Sequence, residues 1–166
     1  MAKTVYFIRH AKSSWADPGL RDFDRPLNKR GLRDAPFMAQ RLYQLVGKMD
    51  KIITSPANRA KTTAYYFAKA FGIAEKEVLL KPEVYHAYSD TLVQVVKEFD
   101  DNWESVCLFG HNPGFTSVAN LFSASFIDNV PTCGIVEIGG GFSSWKGFGD
   151  MSTKVLNIHY PKQYFH

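Results

Sequence analysis

Short apolar runs alternate along this chain with polar loops and with stretches of helical spacing. "VYFIR", residues 5–9, is followed by a polar loop and then by Leu32, Ala35, Met38, Ala39, Leu42, Leu45 and Val46, which recur at spacings of three and four. That period puts them on one face of a helix. Asn28 stands where a side-chain oxygen can cap this helix, and Pro36 predicts a kink or a restart inside it. "KIITS", residues 51–55, opens a second unit, with a helix from about Pro56 to Phe71 whose inner face carries Ala60, Thr63, Ala64, Phe67, Ala68 and Phe71. The shorter run "VLLKP" leads through "EVYHAYSD" to a helix that Ser89 can cap, with Leu92, Val95, Val96 and Phe99 facing inward. "SVCLF", the loop "GHNPG" and a helix carrying Val118, Ala119, Leu121 and Phe122 complete a third clear unit.

Repeated strand, turn and helix predict a mostly parallel sheet covered by helices, an α/β three-layer sandwich. The pattern then changes. "GIVEIG", "FSSWKGF" and "STKVLNIHYP" read as strands with few helical residues between them, which predicts an antiparallel edge at the C-terminal end. The glycine-rich stretch 139–149 reads as a hairpin connection.

Composition narrows the class. A length of 166 residues fits one domain, expected over 1–166, and 45% hydrophobic with 22% charged residues is the balance of a globular protein. No apolar run is long enough to span a bilayer, and the first residues lack the pattern of a secretory signal, so a cytoplasmic location is expected. Cys107 and Cys133 suit reduced core thiols better than a disulfide framework or a metal site. The formal charge of +4 favours anionic partners only weakly, and the basic residues are scattered, so neither a nucleic-acid nor a membrane partner is predicted. Phe67, Phe71, Phe99 and Phe122 fall on inward helical faces, so the aromatic content is read as core. A monomer is expected, in the absence of a long heptad pattern.

In a parallel sheet the carboxyl ends of the strands lie on one side, where ligands bind. Arg9 and His10 end the first strand, Arg59 follows the second, and His111 with Asn112 follows the third. Two arginines and two histidines would thus meet. Guanidiniums that fork onto planar oxygens, together with helix N-termini and no acidic cluster, make a phosphoryl site. A neutral imidazole at its centre can attack phosphorus, while a second, protonated histidine would stabilise the charge on the equatorial oxygens. No ligand-like spacing of histidines points to a metal, and no cofactor is expected.

"FIRHAKSSW", "TSPANRAKTTA" and "FGHNPG" resemble the signature segments of the histidine phosphatase superfamily, whose fold is phosphoglycerate mutase-like. "RPLNKRG", "KPEVYHA" and the C-terminal hairpin extend the likeness over nearly the whole chain, most closely to SixA-type phosphohistidine phosphatases. The resemblance implies that His10 is the nucleophile, Arg9 and Arg59 the phosphate ligands and His111 the second histidine. It further implies substrate contacts from Arg25, Ser13 and Asn112, with Glu83 as a candidate general acid. Two positions depart from the superfamily pattern: Ala11 stands where glycine is usual, and Ala16 where mutases and broad phosphatases carry asparagine. Trp15 could wall the pocket, and His86 could line it or pack beside Tyr85 and Tyr88. His159 and His166 are read as structural or exposed.

The implied activity is a phosphatase acting on phosphohistidine in a protein. Hydrolysis of a small phosphomonoester, such as a sugar or nucleotide phosphate, and a non-catalytic phosphate-binding module are the alternatives.

Overall fold

The computed structural model describes residues 2–165, so His166 lies outside the described residues. Six strands and four helices follow in the order β1 (Lys3–Arg9), α1 (Lys29–Val46), β2 (Lys51–Thr54), α2 (Asn58–Phe71), β3 (Leu79–Leu80), α3 (Ser89–Lys97), β4 (Ser105–Gly110), α4 (Gly114–Phe122), β5 (Ile135–Gly140) and β6 (Lys154–His159). They form one sheet in the order β3-β2-β4-β1-β5-β6. The first four of these run parallel, and β5 and β6 add the antiparallel edge that the change of pattern predicts.

The unbroken apolar run of β1 has a direct cause. Val5 and Phe7 point into a core with α3, α4 and the aromatic residues Phe115, Trp145 and Phe148, whereas Tyr6 and Ile8 point into a second core with α1 and α2. Both faces of the sheet are covered, so neither set of alternate residues is free to be polar. The three layers follow.

Local readings differ from the structure in four places. Pro36 neither kinks nor restarts α1, which runs through it. Pro36 and Leu32 both lie on the exposed side, where the carbonyl deprived of its donor can meet water. Leu32 and Leu45 are exposed, because they fall at the margins of the buried stripe of Ala35, Met38, Ala39 and Leu42. Ser89 does not cap α3 but is its first helical residue, with Tyr88 at the cap and no side-chain bond. "FSSWKGF" forms no strand. Its Trp145 is buried in the core, with the backbone N–H donating to Asp101 Oδ1 at 2.8 Å and the indole N–H to the Trp103 carbonyl at 2.7 Å. Filling the core with that indole outweighs pairing the segment as a strand; the connection between β5 and β6 runs over 141–153, and Gly139 and Gly140 of the glycine-rich stretch belong to β5.

Two glycines bring loops onto the functional end of the sheet. A side chain at Gly31 would collide with the backbone carbonyl of Lys12, and one at Gly114 with that of Ala87. Only a residue without a Cβ lets α1 approach the loop after β1, and α4 the loop after β3, so closely. Cys107 and Cys133 are free and fully buried, and burial pushes both thiols up, which makes them inert. No helix among the described residues is long and apolar enough to cross a membrane.

Candidate active site

Register places the reactive residues. Arg9 of β1 pairs with Gly110 of β4, so His10 and His111 each stand one residue past the paired ends, their rings 5.3 Å apart. Ser55, just past β2, joins them: its N–H donates to the Phe109 carbonyl at 2.9 Å, and its Oγ lies 2.8 Å from His111 Nε2. Arg59 enters from the first turn of α2 and is 3% exposed. Arg9, His10, Arg59 and His111 do meet, as the strand-end pattern predicts.

His10 is held in one tautomer. Its Nδ1 lies 2.7 Å from the Ala11 carbonyl, an acceptor only, so Nδ1 carries the proton and Nε2 the lone pair. Burial, and then the charges of Arg59, Arg9 and Arg25, push its pKa from 6.5 down to about 3, although the Ala11 bond acts the other way. The ring is therefore a neutral base at physiological pH. Ala11 itself is not among the described non-glycine residues at positive φ, so the glycine usual there is not needed for the backbone. Its N–H donates to Thr63 Oγ1 at 3.0 Å, which fixes the loop to α2.

His111 differs from the protonated state expected of it. Burial, followed by its neighbours His10, Arg59 and His86, pushes it down to about 2, so the protein by itself holds it neutral. An arriving dianion would oppose the positive charge of Arg59 and favour the proton.

The acidic residue of the site is the main surprise. The strand-end pattern predicts no acidic cluster there, and the one carboxylate that the resemblance implies is Glu83, yet Asp22 sits among the cations. Arg59 Nη1 donates to its backbone carbonyl at 2.7 Å and Nη2 to Oδ2 at 3.0 Å, while Arg25 Nε and Nη2 donate to Oδ1 at 3.2 and 3.1 Å. The Tyr85 hydroxyl adds a bond to Oδ2 at 2.7 Å, and His86 Nε2 lies 3.5 Å from the same oxygen. These bonds outweigh the cost of partial burial and hold the carboxyl well below the usual carboxylate range. Arg25 and Arg59 share the Asp22 carboxylate and Arg9 adds a third guanidinium, which leaves two positive charges for a ligand. Arg9 Nε, Arg59 Nε and His111 Nδ1 are buried without a hydrogen-bond partner among the described residues. Such atoms cost free energy unless something accepts from them or donates to them, and a phosphoryl group supplies the oxygens.

The remaining predicted residues divide. Arg25 is buried at the site; its Nη1 donates to Ser13 Oγ at 2.7 Å, and its guanidinium stacks 3.6 Å over the Trp15 ring. Ser13 thus steadies Arg25. Trp15, 73% exposed, stands on the outer side of that arginine. Asn112 follows His111, and both ends of its amide bond to the scaffold. Its Nδ2 donates to Asn129 Oδ1 and the Val130 carbonyl, and its Oδ1 accepts from Thr116. The Val130 carbonyl also accepts from Arg9 Nη1 at 2.9 Å, so Asn112 supports the segment that aims Arg9. Glu83 is exposed, its Oε2 lies 3.6 Å from Lys81 Nζ, and no hydrogen bond joins it to the site residues. The single helical turn at Pro82–Val84 buries Val84 and turns Glu83 outward. His159 is half-buried on the edge strand β6, opposite Ile135. Among the described residues no group of three or more His, Cys, Asp or Glu side chains is arranged to hold a metal.

The sequence pattern does not single out Ser55, Asp22 or Tyr85 for the site. Ser55 has a signal, its place one residue past a strand. Asp22 has none to separate it from Asp24, which pairs instead with the exposed Arg21.

The two histidines make acid stability a test of their environment. Below pH 6.5 an unfolded chain protonates both imidazoles, whereas the folded site refuses the protons down to about 3 for His10 and about 2 for His111. Stability therefore falls as pH falls through that window. Asp22 acts lower, since its depressed carboxyl loses its contribution only below its ordinary value of 3.8. In phosphate-free buffer the unfolding temperature is expected to drop between about pH 6.5 and pH 4.5, and His111→Asn to flatten the drop. An identical slope in the variant would show that His111 titrates normally.

Comparison with known proteins identifies relatives of this chain. A family model for the histidine phosphatase superfamily, branch 1, matches residues 5–84. A structure from Agrobacterium tumefaciens assigned as the phosphohistidine phosphatase SixA is 28% identical, covers 96% of this chain and 98% of its own, and superposes with a TM-score of 0.79. A protein histidine phosphatase SixA complexed with tungstate shares the fold at a TM-score of 0.81 and 16% identity, covering 96% of this chain and 98% of that one. A mycobacterial glucosyl-3-phosphoglycerate phosphatase in complex with VO3 also shares the fold, at 0.67 and 13%, covering 93% and 96%.

Proposed function

Since the chain belongs to the histidine phosphatase superfamily, we propose that it hydrolyses phosphohistidine in a protein through a covalent intermediate on His10. The observation that carries the reading is the state of His10: a buried imidazole whose Nδ1 proton is tied to the Ala11 carbonyl, with the Nε2 lone pair set among guanidiniums. A binding module would need the cations but not this arrangement of the proton. His10 Nε2 attacks phosphorus, the bond to the leaving group breaks, and the electron pair departs with that group. Arg9, Arg59 and Arg25 hold the oxygens throughout, and His111 takes up the growing charge from the side of Ser55. Water then attacks the phosphoenzyme and releases phosphate, restoring His10.

The preference for phosphohistidine rests on the leaving group. Glu83 faces Lys81 rather than the pocket, and Asp22 is held ionised, so neither site-adjacent carboxyl is placed or protonated to assist an alkoxide. An imidazole departs with far less help, because it is a much weaker base than an alkoxide. The likeness to SixA supports the same class.

Phosphate release should be measured from an N-phosphohistidine protein domain beside a panel of small phosphomonoesters. Faster turnover of the phosphohistidine domain is expected. Release from small esters alone would replace the substrate class, and release from none would leave a binding module.

A further inference from the structure

Even an imidazole leaves as a neutral molecule only if its ring nitrogens end with one proton between them, and with Glu83 turned away that proton needs a source. His86 is placed to supply it. Its ring lies 6.0 Å from that of His111 and 3.9 Å from that of Tyr85, tilted against it, and its Nε2 lies 3.5 Å from Asp22 Oδ2. His10, His111 and His86 thus form a file of three imidazoles leading from the buried nucleophile to the rim. The side chain of His86 is 60% exposed, so it can exchange protons with solvent, which His10 and His111 cannot do as readily.

The backbone supports the same conclusion. His86 adopts φ 56, a left-handed conformation uncommon outside glycine, though histidine, like asparagine and aspartate, accepts it more readily than most residues. The next residue is pinned: the Ala87 carbonyl lies so close to Gly114 that no Cβ fits between them, and the Ala87 N–H donates to the Val84 carbonyl at 3.2 Å. Strain of this kind persists where the surroundings over-determine it, commonly at functional sites. Its effect here is to aim the imidazole at Asp22 and the pocket.

We propose that His86 is a further catalytic residue, the acid that protonates the leaving group and then the base that deprotonates the attacking water, with Asp22 holding its ring. The inference rests on the phosphatase reading above. In the first step the bond from phosphorus to the leaving nitrogen or oxygen breaks, the electron pair stays with that atom or its ring, and a proton passes from the His86 imidazolium to it. In the second, water bonds to phosphorus, the bond to His10 Nε2 breaks, and the proton lost by water returns to His86. Protons balance over the cycle, and no other reactant is needed.

Acid assistance grades with the leaving group, so the test is a series of substrates. Nitrophenolate departs from a nitrophenyl phosphate without a proton, phosphohistidine demands an intermediate degree of help, and a serine alkoxide demands the most. His86→Asn keeps a residue that accepts positive φ and removes the proton donor. Its kcat/KM is expected to fall about 100-fold or more on O-phosphoserine, less on the phosphohistidine domain, and less than about threefold on nitrophenyl phosphate. If His86→Asn unfolds early, His86→Gly accepts the same backbone, and added free imidazole is expected to restore its turnover of phosphoserine. Equal losses on all three substrates, no loss on any, or wild type inert toward phosphoserine would overturn the assignment while leaving a phosphoenzyme on His10 intact. Absence of both turnover and a phosphoenzyme in wild type would instead remove the phosphatase reading, and this inference with it.

Discussion

His10→Gln is expected to lower turnover by about four orders of magnitude or more, to background, and to abolish a trapped phosphoenzyme. Glutamine keeps a polar side chain of similar reach beside the Ala11 carbonyl, so the cradle of guanidiniums should survive. What disappears is the lone pair at Nε2. The variant should therefore still bind inorganic phosphate or tungstate, with an affinity within about tenfold of wild type, because Arg9, Arg25 and Arg59 are untouched. Rapid-quench trapping with a labelled phosphohistidine domain and titration calorimetry with tungstate measure the two halves separately. Retained turnover would place the nucleophile elsewhere, and loss of oxyanion binding together with turnover would mean that the substitution had collapsed the site.

Arg59→Lys is expected to be nearly as damaging as Arg59→Met, with kcat/KM down about 100- to 1,000-fold in each. The reason is geometric. Arg59 uses Nη1 on the Asp22 carbonyl and Nη2 on its carboxylate, at 2.7 and 3.0 Å, and keeps Nε as a buried donor without a partner among the described residues. A lysine can restore the charge but not three donors in a rigid plane, so it must choose between holding Asp22 and reaching a phosphoryl oxygen. Asp22 in turn steadies Arg25 and lies beside His86, so the loss spreads beyond one phosphate contact. Steady-state kinetics on both variants, with unfolding measured alongside, decides the matter. Recovery of activity to within tenfold of wild type by lysine would show that only the charge counts.

Much of this site is legible in the amino-acid pattern. Arg9, His10 and His111 converge because strand polarity and the paired ends of β1 and β4 leave them little choice, and Arg59 follows from the short turn after β2. Likewise, the run of apolar residues in β1 implies a sheet buried on both faces. Helix edges are less legible: Leu32 and Leu45 satisfy the period yet lie outside the area that the sheet covers.

The order of elements, the direction of the strands and the end of the sheet where chemistry can gather all follow from the amino-acid pattern, because periodicity and chain connectivity are local. Which loop side chains meet at the site is settled in three dimensions: Asp22 and Tyr85 join Arg59 there and His86 lies at the rim, while Glu83 stands exposed beside Lys81 and the Asn112 amide bonds to the scaffold. Loops have no period to fix the direction of a side chain. Asp22 is held by Arg59 and Tyr85, 37 and 63 positions away along the chain, and such partners are chosen by hydrogen-bond geometry and charge after the sheet has brought the loops together.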